Sequence, residues 1–200
     1  MRFLRSLLAS LLLFPVLALA QQMPTPPALA AKSWLLIESG SGQVLAAQAP
    51  DERLEPASLT KLMTAYLTFA AIKQGTIKLD QTVPVSEKAW KAPGSRMFIQ
   101  VNTQVKVEDL IKGMIVQSGN DACVALAEAI AGGEENFAQM MNREAQRLGM
   151  KASSFRNASG LPDPQHYTTA RDLATLAGAL IRDFPEEYSK YYSLKEFRYN

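Results

Sequence analysis

The stretch EPASLTKLMTAYLTFAAIKQG, residues 55–75, decides how the chain is read. From Leu59 to Lys73 apolar side chains occupy nearly the whole helical circumference. The spacing therefore predicts a helix buried on most sides, closed at Gly75 by a left-handed cap. Ser58 and Lys61 stand at its start, and three residues apart on a helix they share one face. Two readings are open from these residues alone. In one, Ser58 caps the helix and Lys61 snorkels to water. In the other, Lys61 is held among Leu59, Leu62, Met63 and Tyr66, and burial and the positive helix end drive its amine toward the neutral form. Such an amine can take the proton of a nucleophilic Ser58 hydroxyl, with first-turn amides placed for the resulting oxyanion.

Upstream, Arg2 and Arg5 precede an apolar run from Leu7 to about Ala20 that ends Ala18-Leu19-Ala20. A charged start, an apolar run too short to span a bilayer and a small-x-small end read as a secretory signal peptide over 1–20. A retained anchor is the other reading. QQMPTPPALAAK (21–32) reads as an N-terminal tether. Losing Arg2 and Arg5 from 21 basic residues leaves 19 against 19 acidic ones, so the exported chain is formally neutral. With no basic stripe it lacks the electrostatic footing for nucleic acid. The single cysteine, Cys123, excludes an internal disulfide, so stability must come from a core that about 180 residues suffice to build.

SWLLIE (33–38) and QVLAAQ (43–48) around SGSG predict a β-hairpin. TVPVS and SRMFIQ carry short strand signals around a polar loop, KAWKAPG. Helical spacing predicts helices over 107–117, 121–131, 134–148 and 170–183. A long turn-rich loop, 153–169, precedes the last of these. KEFRYN at the end reads as a strand just begun, one that needs a sheet partner.

Ser118-Gly119-Asn120 falls at the break between two predicted helices. Alone it is ordinary cap and turn chemistry, or else a proton-relaying hydroxyl beside an amide that binds a peptide group. Its place 60 residues after Ser58 is more telling. The ordered set Ser-x-x-Lys, Ser-x-Asn, Lys-Thr-Gly marks the penicillin-recognising serine enzymes. With PASLTKLMTAY, IVQSGNDACVALAE, GLPDPQHYTTARDLA and PEEYSKYYSLKEFRYN, the chain resembles the low-molecular-mass penicillin-binding proteins from about Ala31 to Asn200. These are the serine-type D-alanyl-D-alanine carboxypeptidases of peptidase family S11.

The resemblance implies an α+β, β-lactamase/transpeptidase-like fold, a helical block packed on an antiparallel sheet, with 33–200 as the N-terminal part of the catalytic domain. It implies Ser58 as the acyl-accepting nucleophile, Lys61 as its general base, Ser118 as the proton relay and Asn120 as the holder of the substrate amide. The implied substrate is the D-Ala-D-Ala end of peptidoglycan stem peptides, with β-lactam antibiotics acylating Ser58 as mimics. No cofactor or metal is implied. The place of action would be the periplasm or the outer face of the cytoplasmic membrane, with peripheral association with the inner membrane as a further partner.

The third motif is absent: no Lys here is followed by Thr-Gly or Ser-Gly. The family carries it on a downstream sheet strand, so the sheet is expected to be incomplete in these 200 residues and the stretch inactive alone. His166, the only histidine, excludes a multi-histidine metal site and is expected to be an exposed loop residue. Cys123 is expected to be buried and inert, though near enough to the cleft for a thiol reagent to block it. Arg171 and Asp172 read as structural, and Glu196 with Asn200 as a chance match to a deacylating pair. A DD-endopeptidase, a class A β-lactamase and a non-catalytic penicillin-binding sensor are the rival functions.

Overall fold

Helix α1, Lys61–Lys73, is lined with buried side chains: Met63, Ala65 and Phe69 are wholly enclosed, and Tyr66 and Leu67 nearly so. A helix with so few polar positions must be surrounded, and α1 packs against four others. These are α3 (Val107–Val116), α4 (Asn120–Ala131), α5 (Glu134–Leu148) and α6 (Ala170–Asp183). The computed structural model describes Pro26 and residues 28–199, so the signal peptide expected over 1–20 lies outside the described residues. From Ala31 onward the chain forms one unit.

The hairpin is β1 (Trp34–Ile37) against β2 (Val44–Gln48), antiparallel, with a register shift between Leu36 and Ile37. A second antiparallel pair joins β3 (Thr82–Pro84) to β4 (Gln104–Lys106). The helix boundaries follow their sequence signals closely. α5 and α6 span 134–148 and 170–183 as expected; Gly149 closes α5 at φ +84°, and Thr169 caps α6 by accepting from the Asp172 N–H.

Four local expectations are corrected. SRMFIQ is not a strand, because the Asp121 carboxylate accepts from the Met97, Phe98 and Ile99 N–H groups (3.0, 2.8 and 3.2 Å). Amides held by a side chain cannot also form a ladder. β3 pairs instead with Gln104–Lys106. The polar loop contains a short helix, α2 (Glu87–Trp90), started by Ser86, whose hydroxyl accepts from the Ala89 N–H. Pro185 opens a further helix, α7 (Pro185–Tyr192), which strand signals in the last residues masked. Residues 195–199 are not a strand: they lie along the helical block, with Phe197 packed on its core and the Gln117 amide donating to the Phe197 carbonyl at 3.1 Å. A strand needs a partner, and none pairs with them among the described residues.

Candidate active site

Ser58 sits in a 3₁₀ turn, Ala57–Thr60, that leads directly into α1. No side chain caps this turn, so the capping role open to Ser58 is not the one it takes. The turn begins with strain: Ala57 has φ +46°, a left-handed conformation that a non-glycine residue adopts at a cost. It leaves Ser58 exposed at the helix start, while Lys61, one turn on, is 7% exposed.

The Lys61 amine lies 3.2 Å from Ser58 Oγ and donates at 2.8 Å to the Ser159 carbonyl. Burial pushes its pKa below the ordinary lysine value. A thiolate at Cys123 would oppose that shift. Cys123 is wholly buried, however, and its own pKa is pushed up to about 12, so at neutral pH it is an uncharged thiol and exerts no such pull. Lys61 therefore does not snorkel, and its amine is biased toward the proton-accepting form.

Ser118 arrives from the α3–α4 break at φ +55°, a second left-handed non-glycine residue. Its hydroxyl donates to Ser58 Oγ at 3.1 Å. Asn120 opens α4 and is 7% exposed; its Nδ2 donates to the Pro93 carbonyl at 2.7 Å and its own N–H to the Ser95 carbonyl at 2.7 Å. With Nδ2 held, its Oδ1 is the atom able to accept from a ligand N–H. Gly94 permits this approach, since a Cβ there would lie 2.9 Å from Asn120 Nδ2. Thus Ser58, Lys61 and Ser118 form one hydrogen-bonded chain, and Asn120 stands two residues beyond it on a fixed support. A cavity of about 490 Å³ opens onto Ser58, Lys61 and Ser118, with Leu59, Leu62, Met114, Ile115 and Tyr192 as its apolar walls.

Sequence reasoning missed the far side of the site, the 153–169 loop. Asn157 Oδ1 accepts from the Ser159, Gly160 and Leu161 N–H groups, folding a tight turn that aims the Ser159 carbonyl at Lys61. Gly160 is required there: its φ is +88°, and a Cβ would fall 1.8 Å from the Ala57 carbonyl oxygen. Thr64, one turn past Lys61, donates to the Ala158 carbonyl at 2.6 Å. The Asn-x-Ser-Gly run was the available signal, an Asx turn followed by the residue most tolerant of positive φ.

His166 overturns its expectation. It is 2% exposed, packed edge-on against Phe155, with Nε2 at 2.9 Å from Thr60 Oγ1. A loop whose backbone pairs with itself, Ser154 with Tyr167, and with the chain before α1, Thr168 with Leu54, draws its side chains inward. Arg171 and Asp172 are structural as expected: Arg171 pairs with Asp51, and Asp172 accepts from Ala152 and Ser153.

Residues 20–200 match the peptidase S11 family, D-alanyl-D-alanine carboxypeptidase. The chain belongs to this family. It is 48% identical over 179 residues to the D-alanyl-D-alanine carboxypeptidase DacA of Haemophilus influenzae, covering 88% of this chain and 45% of that protein. It is 45% identical over 199 residues to DacC of Escherichia coli, covering 96% of this chain and 50% of that one. Among solved structures, penicillin-binding protein 5 from H. influenzae superposes with a TM-score of 0.85 at 47% identity, over 88% of this chain and 52% of the other. The fold is accordingly that of the penicillin-binding proteins, helices with small antiparallel sheets. The chain spans about half the length of the curated relatives it matches.

Proposed function

We propose that the full-length protein is a serine-type DD-carboxypeptidase that removes the terminal D-alanine from peptidoglycan stem pentapeptides, and that β-lactams acylate it. The observation that carries this reading is the hydrogen-bonded chain Lys61 Nζ–Ser58 Oγ–Ser118 Oγ, 3.2 and 3.1 Å, at an open cavity.

In this mechanism neutral Lys61 accepts the Ser58 proton as Oγ attacks the carbonyl of the penultimate D-alanine. The peptide C–N bond of the tetrahedral intermediate then breaks, and the departing D-alanine amine receives a proton passed from Lys61 through Ser118. An acyl-Ser58 ester remains, which water resolves to free acid and serine with Lys61 again as base. Asn120 Oδ1 accepts from the substrate backbone N–H and sets its register. The cation for the terminal carboxylate and the second oxyanion donor are assigned to a Lys-Thr-Gly strand elsewhere in the full-length protein. We assign 1–20 to a signal peptide, 21–32 to a tether, 33–200 to the N-terminal part of the catalytic domain, and the site of action to the periplasm or the outer face of the cytoplasmic membrane.

The test uses full-length protein with a pentapeptide substrate and a fluorescent penicillin. Wild type should release free D-alanine and form a covalent adduct, and Ser58→Ala should do neither. Cleavage of cross-linked dimers without D-alanine release would favour the endopeptidase; labelling with no release at all would favour a sensor. Nitrocefin turned over many times per molecule would mark a β-lactamase.

A further inference from the structure

The only histidine in the chain is buried against Thr60, the residue before the base, and the acyl-transfer chemistry does not use it. Its hydrogen-bond roles follow from its partners. The Arg156 backbone N–H can only donate, and it meets His166 Nδ1 at 3.4 Å, so Nδ1 accepts. Nε2 therefore carries the hydrogen and donates to Thr60 Oγ1 at 2.9 Å. Thr60 is wholly buried and immediately precedes Lys61. The same 153–169 loop supplies the Ser159 carbonyl that accepts from the Lys61 amine.

We infer that His166 is a positioning residue for Lys61: as a neutral imidazole it ties the 153–169 loop to the start of α1 and keeps the Ser159 carbonyl on the base. Protonation would place an N–H on Nδ1, facing the Arg156 N–H, donor against donor, and set a charge in a buried site. The charged groups around the ring are Asp163 and Glu55, which favour the proton, and Arg156, which opposes it; burial outweighs them and lowers the pKa from 6.5. The ring is thus neutral at pH 7; as pH falls below the ordinary histidine range it keeps its donation to Thr60 but loses the Arg156 hydrogen bond that holds it within the loop, and the tie loosens. Other contacts to the loop, Thr64 to the Ala158 carbonyl and the Ala158 N–H to Glu134, limit the effect to loosening.

This inference rests on the acyl-Ser58 reading, and the experiment separates the two. Full-length wild type, His166→Ala and His166→Gln are compared for the rate of labelling by a fluorescent penicillin between pH 5 and 8, with melting temperatures as the folding control. Glutamine can donate to Thr60 and accept from Arg156 but cannot take a proton. At pH 7 His166→Ala should label on the order of ten-fold more slowly, the scale of losing an outer-shell orienting partner, and His166→Gln should restore most of the rate. Between pH 7 and 5 wild type should slow more steeply than His166→Gln; the acid limb from Lys61 itself is common to both and cancels in their ratio. An identical acid limb in wild type and His166→Gln overturns the inference, as does a folded His166→Ala that labels at the wild-type rate. If His166→Ala fails to fold, the pH ratio of the glutamine variant decides. Wild type that takes no label at any pH would overturn the acyl-Ser58 reading itself.

Discussion

Cys123 and Lys61 are buried beside each other, and burial moves their pKa values in opposite directions because it penalises whichever form is charged. The Cys123 thiol has a pKa of 9.0 when exposed and about 12 in the fold. Between those values the folded chain keeps a proton that the unfolded chain gives up. The thiol's contribution is complete below pH 9 and is lost as pH rises toward 12. Lys61 has the reverse sign, its depressed pKa making stability rise with pH until its ordinary value is reached. Tyr66 and Tyr192, also raised, add to the alkaline loss only above pH 10, their ordinary value. The Lys61 contribution is common to both chains, so we expect the stability of Cys123→Ala, by urea titration, to rise relative to wild type between pH 9 and 10. Equal slopes for the two would contradict the buried neutral thiol. The expectation that a thiol reagent could reach Cys123 does not fit a side chain with 0% exposure, and in the native state it should resist modification.

At the scale of elements, the site is assembled from two helix starts and one loop, and two side chains beside them each take several backbone N–H groups. Asp121 serves the 97–99 segment and Asn157 serves the 159–161 turn. The turn presses against Ala57 so closely that only glycine fits at 160. Gly160→Ala would combine a left-handed alanine with a backbone clash. We expect a loss of about 3 kcal/mol, read as a lower urea midpoint with an unchanged slope. An unchanged midpoint would show that the Ala57 turn is not packed as described. α1, α3, α4, α5 and α6 were all legible from spacing, α1 as a run apolar nearly all round and the others by apolar residues at helical spacing. The 95–100 segment and the last residues misled because β-branched and aromatic composition signals a strand only where the backbone N–H groups are free to pair. Asp121 had taken those of 97–99, and among the described residues no strand pairs with 195–199.

The whole molecule is held by a core that runs along α1 into α6 and α7. Phe69 lies wholly buried between Phe184 and Tyr191, with ring centroids 5.8 and 5.9 Å away. Phe69→Ala should cost roughly 4 kcal/mol, seen as a large fall in melting temperature, because a tightly packed interior cannot close over the lost ring. A fall of a few tenths of a kcal/mol would mean that this aromatic layer is not the centre of the core. The sequence by itself pointed to the family, placed five of the helices and nominated four candidate site residues, because hydrophobic period and motif spacing are local properties that survive in one dimension. Only the tertiary structure decided what surrounds them. It brought Ser118 to Ser58 across 60 residues, set the Ser159 carbonyl on Lys61 across 98, and drew His166 inward across 106 to Thr60. Those contacts depend on which backbone groups remain unpaired once the helices have packed, and no local pattern records that.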